Sequence, residues 1–202
     1  MLFIATSAYG GIAPQAYIYN RQTKTETQIK LNEEQIAEVS GSPTGENTLI
    51  SLVPNDYGIK YQCKLDKINN QGEKIKTVIY TPDHVCGTLR WISDAEVIFE
   101  KATGPDGKID IRETGDTGYY IVSSIYSYNL KTEKENIIIK SDGKETYKLL
   151  DVIPEKGILV VNQNPTRDPQ YIYEWRNSDG SQPMTIMTGN MPITYIGITP
   201  AR

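Results

Sequence analysis

The sequence predicts an all-β protein, a small β-propeller of about four blades with four antiparallel strands each. Three observations indicate this fold. A pattern of strand, turn and strand recurs four times, shorter apolar strands precede the recurrences, and each end of the chain carries one strand that lacks its neighbour. Four strands in about 45 residues is the size of a propeller blade.

The recurring hairpin supplies the third and fourth strands of each blade. An aromatic residue and alternating positions precede a polar turn, which is typical of half-buried strands. The four segments are AYIYNRQTKTETQIKL from Ala16, IKYQCKLDKINNQGEKIKTVIY from Ile59, SIYSYNLKTEKENIII from Ser124 and QYIYEWRNSDGSQPMTIM from Gln170. We align Tyr19, Tyr61, Tyr126 and Tyr173 as equivalent positions within them.

The strands before each hairpin are apolar enough to be buried on both faces. We take as second strands LFIATSA from Leu2, TLISLVP from Thr48, EVIFEKA from Glu96 and GILVVNQN from Gly157. First strands that run into tight polar turns are IAEVSGSPTGE from Ile36, LRWISDA from Leu89 and KLLDVIPEKG from Lys148. Trp91 is therefore expected on an inner strand between blades. Residues 32–39 also have a helix-like pattern, for which we expect a turn or two of helix at most.

The two ends of the chain complete one blade. ITYIGITPAR from Ile193 resembles a first strand, and LFIATSA from Leu2 resembles the second strand that should follow it. Pairing them closes the ring and removes exposed sheet edges. The predicted blades are residues 36–81, 85–140, 147–188, and 193–202 joined with 1–31, in a single domain.

Two turn motifs carry a family resemblance. SPTGE at 42–46 and WISD at 91–94 resemble the S-P-D-G-K turn and W-S-x-D variants of the TolB-like (WD40-like, PD40-type) propeller repeat, also found in prolyl oligopeptidases. Residues 125–132 resemble the third strand of that repeat. The resemblance covers nearly the whole chain and implies a binding scaffold or the non-catalytic half of a hydrolase. Because such propellers usually have more blades, the alternatives to a complete monomer are a fragment of a larger ring or a dimer that completes one.

Composition excludes several classes of protein. Lys and Arg number 21 against 25 Asp and Glu, spread along the chain, so no basic stripe exists for nucleic acid. No apolar run is long enough for a membrane span, and no signal peptide is visible. The compartment stays open, and would be extracytoplasmic or periplasmic if a signal peptide had been removed. Cys63 and Cys86 are expected as unpaired thiols, with a single bridge as the alternative in an exported protein.

One face of the propeller is the predicted binding surface. Loops from second to third strands and links between blades emerge on the same face, and long loops on a rigid scaffold usually carry binding. We expect a protein, peptide or glycan ligand there. The candidate residues are Tyr9, Asp56, Tyr57, Asp83, His84, Asp106, Asp110, Tyr119, Arg167 and Asp168.

The sequence does not predict an enzyme. His84 is the single histidine, and although Asp83 could orient it as a general base, the chain has no Gly-x-Ser-x-Gly nucleophile elbow. We expect no catalytic residues and no cofactor. The alternatives are an accessory propeller domain or fragment of a prolyl-peptidase-like hydrolase, or a small lyase.

The insertion at 102–118 raises the question of calcium. Asp106, Gly107, Ile109 and Glu113 match the fifth, sixth, eighth and twelfth places of an EF-hand loop, but Ala102 and Gly104 offer no carboxylate at the first and third. We interpret the insertion as a solvated acidic loop. A degenerate calcium loop that uses Asp110 or Asp116 is the alternative.

Overall fold

The computed structural model describes residues 16–20, 23–30, 34–54, 62–103, 122–143, 145–163 and 170–190. These ranges contain fourteen β-strands and no helix that could cross a membrane. The strands are β1 (Tyr17–Asn20), β2 (Thr25–Gln28), β3 (Glu34–Gly41), β4 (Thr48–Pro54), β5 (Gln62–Ile68), β6 (Lys74–Pro82), β7 (Val85–Trp91), β8 (Glu96–Thr103), β9 (Val122–Asn129), β10 (Lys134–Ile139), β11 (Thr146–Ile153), β12 (Gly157–Gln163), β13 (Tyr171–Arg176) and β14 (Met184–Gly189).

The strands form antiparallel sheets in chain order, which is the topology of propeller blades. The first blade is β3–β6, the second is β7–β10 and the third is β11–β14, while β1 and β2 form a separate hairpin. The chain is thus a small all-β propeller, with three complete blades and the outer hairpin of a further one described. The predicted pairing of residues 193–202 with residues 2–6 lies outside the described residues.

The first strands of the blades meet at the centre. Strand β7 contacts both β3 and β11. Each of these inner strands carries a bulge, where its pairing with the second strand shifts between Ile36 and Glu38, between Cys86 and Leu89, and between Leu149 and Asp151. A bulge adds a residue to one strand and bends it.

The bulge in β3 explains why the helix predicted within 32–39 is wrong. Ile36 and Val39 both pack against the β1–β2 hairpin although they are three residues apart. In a regular strand that spacing would place them on opposite faces, but the extra residue between them restores a shared face. The apolar spacing of a bulged strand therefore imitates that of a helix.

Within the described ranges, the core consists of three apolar layers between facing sheets. Ile18, Ile50 and Leu52 belong to the layer between the β1–β2 hairpin and the first blade. The layer between the first and second blades contains Leu49, Leu65, Leu89, Trp91, Val97 and Phe99, and the layer between the second and third contains Ile98, Ile125, Leu149, Ile158 and Val160. Successive residues of one strand, such as Leu49 and Ile50, thus enter different layers.

Trp91 lies where the sequence predicted, on an inner strand and buried between the first two blades. The sequence alignment that made the four tyrosines equivalent is wrong for Tyr126 and Tyr173. Tyr126 lies opposite Phe99 and packs toward the first blade, whereas Tyr173 lies opposite Val161, on the face of the third blade away from the second. A shift of one residue reverses the face of a strand side chain, so the two positions are not equivalent.

The turn between the third and fourth strands of each blade packs on the outer strand of the preceding blade or hairpin. Lys30 donates its N–H to the carbonyl of Gly72 at 3.2 Å, and Lys76 pairs with Glu133. A Cβ at Gly72 or Gly180 would come within 2.5 Å of the Gln28 carbonyl oxygen and 2.4 Å of the Ile138 carbonyl oxygen, respectively. Both glycines also have positive φ, so two independent constraints require glycine there.

A disulfide joins Cys63 of β5 to Cys86 of β7. The expectation of unpaired thiols is therefore wrong, and the alternative, a single bridge, is what the structure contains. The two residues belong to different blades and lie 23 positions apart, but both face the layer between these blades, with their Cα atoms 4.5 Å apart. That separation is within the range that a disulfide spans.

We expect Trp91→Ala to lower the free energy of unfolding by about 3 to 5 kcal/mol, because it removes a large buried aromatic side chain. Denaturant unfolding measures the loss. The matched control is Trp175→Ala, at a partly buried position, for which a smaller loss is expected. A loss below about 1 kcal/mol for Trp91→Ala would show that this side chain does not support the layer.

Replacing both Cys63 and Cys86 by alanine should lower the free energy of unfolding by about 3 kcal/mol, since the bridge restricts the unfolded chain. The same unfolding experiment on wild-type protein in reductant should give a similar loss, and reductant should not affect the double variant. Equal stability of the wild type with and without reductant would contradict the prediction.

Candidate functional site

The strand register identifies a single loop-bearing end of the propeller, which we call the loop face. Gln62 at the start of β5 lies opposite Pro82 at the end of β6, and Val122 at the start of β9 lies opposite Thr103 at the end of β8. In the third blade, Gln163 at the end of β12 lies opposite both Thr146 and Tyr171. The connections from second to third strands and the links between blades therefore leave from the same end, as predicted.

Hydrogen bonds fix the bases of the loops at this face. Thr103, the last residue of β8 before the long insertion, donates its hydroxyl hydrogen to the carbonyl of Asp83 at 3.2 Å. After the insertion, Ser123 donates its N–H to the hydroxyl oxygen of Thr146 in the third blade at 2.9 Å. Ser141 donates its N–H to the hydroxyl oxygen of Ser124 at 2.9 Å. Since most of these groups are buried, the insertion enters and leaves through anchored positions.

Asp83 and His84 form the link between the first and second blades. Asp83 has a positive φ of 56°, as in a tight turn. The Nδ1 atom of His84 lies 2.7 Å from the Pro82 carbonyl oxygen, and because a carbonyl only accepts, Nδ1 carries the hydrogen of this bond. Within the described ranges no hydrogen bond or ion pair joins the Asp83 carboxylate to His84. The Pro82 carbonyl orients the ring instead.

The other predicted binding residues lie outside the described residues: Tyr9, Asp56, Tyr57, Asp106, Asp110, Tyr119, Arg167 and Asp168. The same holds for most of the insertion at 102–118. Ala102, which takes the first place in the EF-hand alignment, lies in β8 opposite Val85 and Ser123. The described part of the chain contains no group of three His, Cys, Asp or Glu side chains that could hold a metal ion.

A buried lysine near the loop face was not predicted. The Lys101 side chain is 5% exposed, and its ammonium donates to the Thr81 hydroxyl at 3.1 Å and to Glu135 at 2.7 and 2.9 Å. It also lies 4.5 Å from the centre of the Tyr126 ring, within the range of a cation–π contact. Lys101 thus joins β6 of the first blade to β10 of the second. All three hydrogen-bond donors of its ammonium are used in these contacts.

Two carboxylates, which we call the axial carboxylates, cross from one blade to the bulge of the next inner strand. Glu38 of β3 accepts the N–H of Leu89 at 2.8 Å and pairs with Arg90. Glu100 of β8 accepts the N–H of Leu149 in β11. A bulge leaves backbone groups unpaired, so these carboxylates supply the missing acceptors.

The environment of Glu100 favours its neutral form. A Cβ at Gly87 would lie 2.2 Å from Oε2 of Glu100, so the carboxyl group rests directly on the bulged backbone of β7. Burial raises the pKa of Glu100 from 4.5 to about 7, although the N–H of Leu149 and the charge of Lys148 favour the ionised form. Desolvation therefore outweighs the hydrogen bonds.

Comparison with known proteins finds no matching family model and no matching curated protein. Hydrazine synthase of Kuenenia stuttgartiensis is similar over 74% of this chain and 46% of its own, with 12% identity and a TM-score of 0.48. An oligogalacturonate lyase in complex with manganese is similar over 90% of this chain and 60% of its own, with 12% identity and a TM-score of 0.46.

An uncharacterised protein of Listeria monocytogenes EGD-e is similar over 87% of this chain and 58% of its own, with 11% identity and a TM-score of 0.32. The chain therefore spans roughly half to three fifths of the length of these structures. The fold assignment depends on the sheet topology of the chain itself.

The raised pKa of Glu100 predicts a pH-dependent stability. Between about pH 4.5 and 7 the folded protein retains a proton that the unfolded chain releases, so the free energy of unfolding falls as pH rises and levels off above 7. The full effect is at most about 3 kcal/mol.

Glu100→Gln imitates the neutral carboxyl and still accepts the N–H of Leu149, so it should remove this part of the pH dependence. Denaturant unfolding at several pH values gives the difference from wild type. The control is Glu46→Gln, at an exposed turn position, which should follow the wild-type curve. If the free energy of unfolding changed with pH in the same way in the wild type and in Glu100→Gln, the raised pKa of Glu100 would be refuted.

Proposed function

We propose that this chain is a non-catalytic binding or scaffolding propeller of the TolB-like type that recognises a protein, peptide or glycan through the loop face. The observation that carries the proposal is the anchoring of the long insertion by Thr103 on one side and by Ser123 on the other. Loops with fixed bases present their side chains with less entropy to lose on binding. A rigid scaffold with long loops at one end is the usual arrangement for recognition.

The charged groups near the axis and the loop face support binding over catalysis. Glu38 and Glu100 each accept an N–H of the next blade, and Lys101 donates to Thr81 of the preceding blade, so all three hold blades together. A catalytic acid or base needs a proton-transfer atom directed at substrate. Among the predicted binding residues in the described ranges, only Asp83 and His84 have side chains that could act as a base, and a lyase or hydrolase active site needs further groups around them.

The disulfide supports a location outside the cytosol. Disulfides persist in oxidising compartments and are rare where thioredoxin and glutathione act. The Cys63–Cys86 bridge lies in the core between two blades. We therefore propose an extracytoplasmic or periplasmic protein, which also agrees with a ligand such as a glycan or a surface peptide.

The proposal is tested by replacing residues 104–117 with a short Gly-Asn turn that leaves Thr103 in β8. Stability should stay within about 1 kcal/mol, because shortening a surface loop changes only a slowly varying closure entropy. Wild-type protein should give reproducible hits on a glycan array or a displayed peptide library, and the loop variant should lose them. The matched control, Lys131→Ala with Thr132→Ala, alters a turn at the opposite face and should retain them.

Hits that persist in the loop variant would contradict binding through this loop. Activity of the wild type on polysaccharide or peptide substrates that His84→Ala abolishes would favour the lyase or hydrolase alternative. Calcium provides a separate comparison: if the insertion binds calcium, the ion raises the Tm of the wild type and not of the loop variant. A large loss of stability in the loop variant without calcium would show that the insertion is structural.

A further inference from the structure

Strand β14 differs in burial from the outer strands of the first two blades. The outer strands β6 and β10 each bury one residue, Ile79 and Ile139, but every residue of β14 is at least partly exposed. Three of its six side chains are large and apolar, with Met184 58%, Ile186 54% and Met187 43% exposed. Exposed apolar residues that are grouped in this way indicate an interaction surface.

Outer strands usually carry devices that prevent edge-to-edge pairing. A charge is present on β2 (Glu26), on β6 (Lys74 and Lys76) and on β10 (Lys134 and Glu135), and none is present on β14. The whole sequence from Gly180 to Ala201 lacks a charged residue. The outer pairs of all three blades contain a bulge, which in the third blade leaves Ile186 out of the pairing with β13, so charge is what distinguishes β14.

None of the three turns between third and fourth strands in the described blades packs on β14. The turn at Gly72 packs on the end of β2, the turn at Glu133 packs on β6, and the turn at Gly180 packs on β10. Within the described parts of the chain, no hydrogen bond or ion pair joins a turn to β14. Its outward backbone groups thus form an edge that can accept a further strand.

We propose that two copies of this chain pair through β14 in antiparallel orientation, with Ile186 opposite Ile186 about a two-fold axis. In this register each Thr185 faces a Met187 and each Met184 faces a Thr188. A strand that pairs with itself brings like charges close together, so only an uncharged edge suits a second copy. A foreign charged partner would instead select an edge of complementary charge.

The two-fold arrangement closes after two chains and does not propagate into a fibre. It joins two third blades into one continuous sheet and covers the exposed side chains of both strands. The contact is small, comparable to weak specific interfaces of less than about 1,200 Å². A dissociation constant in the micromolar range is therefore expected.

Sedimentation velocity from about 1 to about 300 µM protein tests the proposal, since this range brackets micromolar affinity. Wild type should change from monomer to dimer. Ile186→Lys should weaken self-association at least about tenfold, because two lysines would meet at the two-fold axis. The matched control is Ile137→Lys, which introduces the same charge at a similarly exposed position of β10, 51% exposed, and should dimerise like wild type.

A mixture of Ile186→Lys and Ile186→Glu should restore a dimer that neither variant forms alone. Unchanged Tm values for these variants would confirm that they are folded. A wild type that stays monomeric throughout, which includes the case of a foreign strand as the true partner, would overturn the proposal. Dimerisation of Ile186→Lys with wild-type affinity, or failure of the mixture to form dimers, would also overturn it.

Discussion

Burial of both faces of the first and second blades is the constraint on which this structure depends. Leu49 and Ile50 are adjacent in β4, yet one enters the layer shared with the second blade and the other enters the layer shared with the β1–β2 hairpin. An isolated blade would expose one of these apolar layers to water. Because each layer belongs to two sheets, the stability of one blade depends on its neighbours, and apolar burial is the main favourable term in folding.

This packing brings the inner strands together, and their bulges then need partners. The N–H groups of Leu89 and Leu149 bond to carboxylates of the preceding blade, Glu38 and Glu100. For Glu100 the cost is a carboxyl group whose pKa is raised to about 7 by burial. A backbone N–H left without an acceptor in this region would carry its own desolvation penalty, so the glutamate is a compromise between two costs. The Cys63–Cys86 bridge adds a covalent link between the same two blades that Glu38 joins.

The strands could be predicted from the sequence because each apolar second strand is buried on both faces and each hairpin alternates. The loop face could be predicted for a similar reason, since strand alternation alone determines which connections share an end. Features that depend on a one-residue shift could not be predicted. The bulge in β3 makes Ile36 and Val39 resemble a helix face, and the altered register of Tyr173 places it on the opposite face from Tyr126.

Interactions between the ends of long side chains also could not be predicted. Nothing in the segment EVIFEKA indicates that Glu100 reaches a bulge of the next blade or that Lys101 lies between Thr81 and Glu135. The cysteine pair was expected only as the alternative because its two members are in different blades, and spacing along the chain carries no information on that proximity. Such features require the relative positions of whole sheets, which local patterns do not provide.

The same separation between blades and their edges explains how one propeller can combine two surfaces. The loop face lies at one end of the strands, whereas β14 lies on the perimeter, where its pairing groups point away from the axis. The proposed binding at the loop face therefore need not compete with the proposed pairing along β14, and two chains paired along β14 would present two loop faces. Two linked sites raise the effective affinity for a repetitive ligand without any new contact, which suits a peptide or glycan with repeated units.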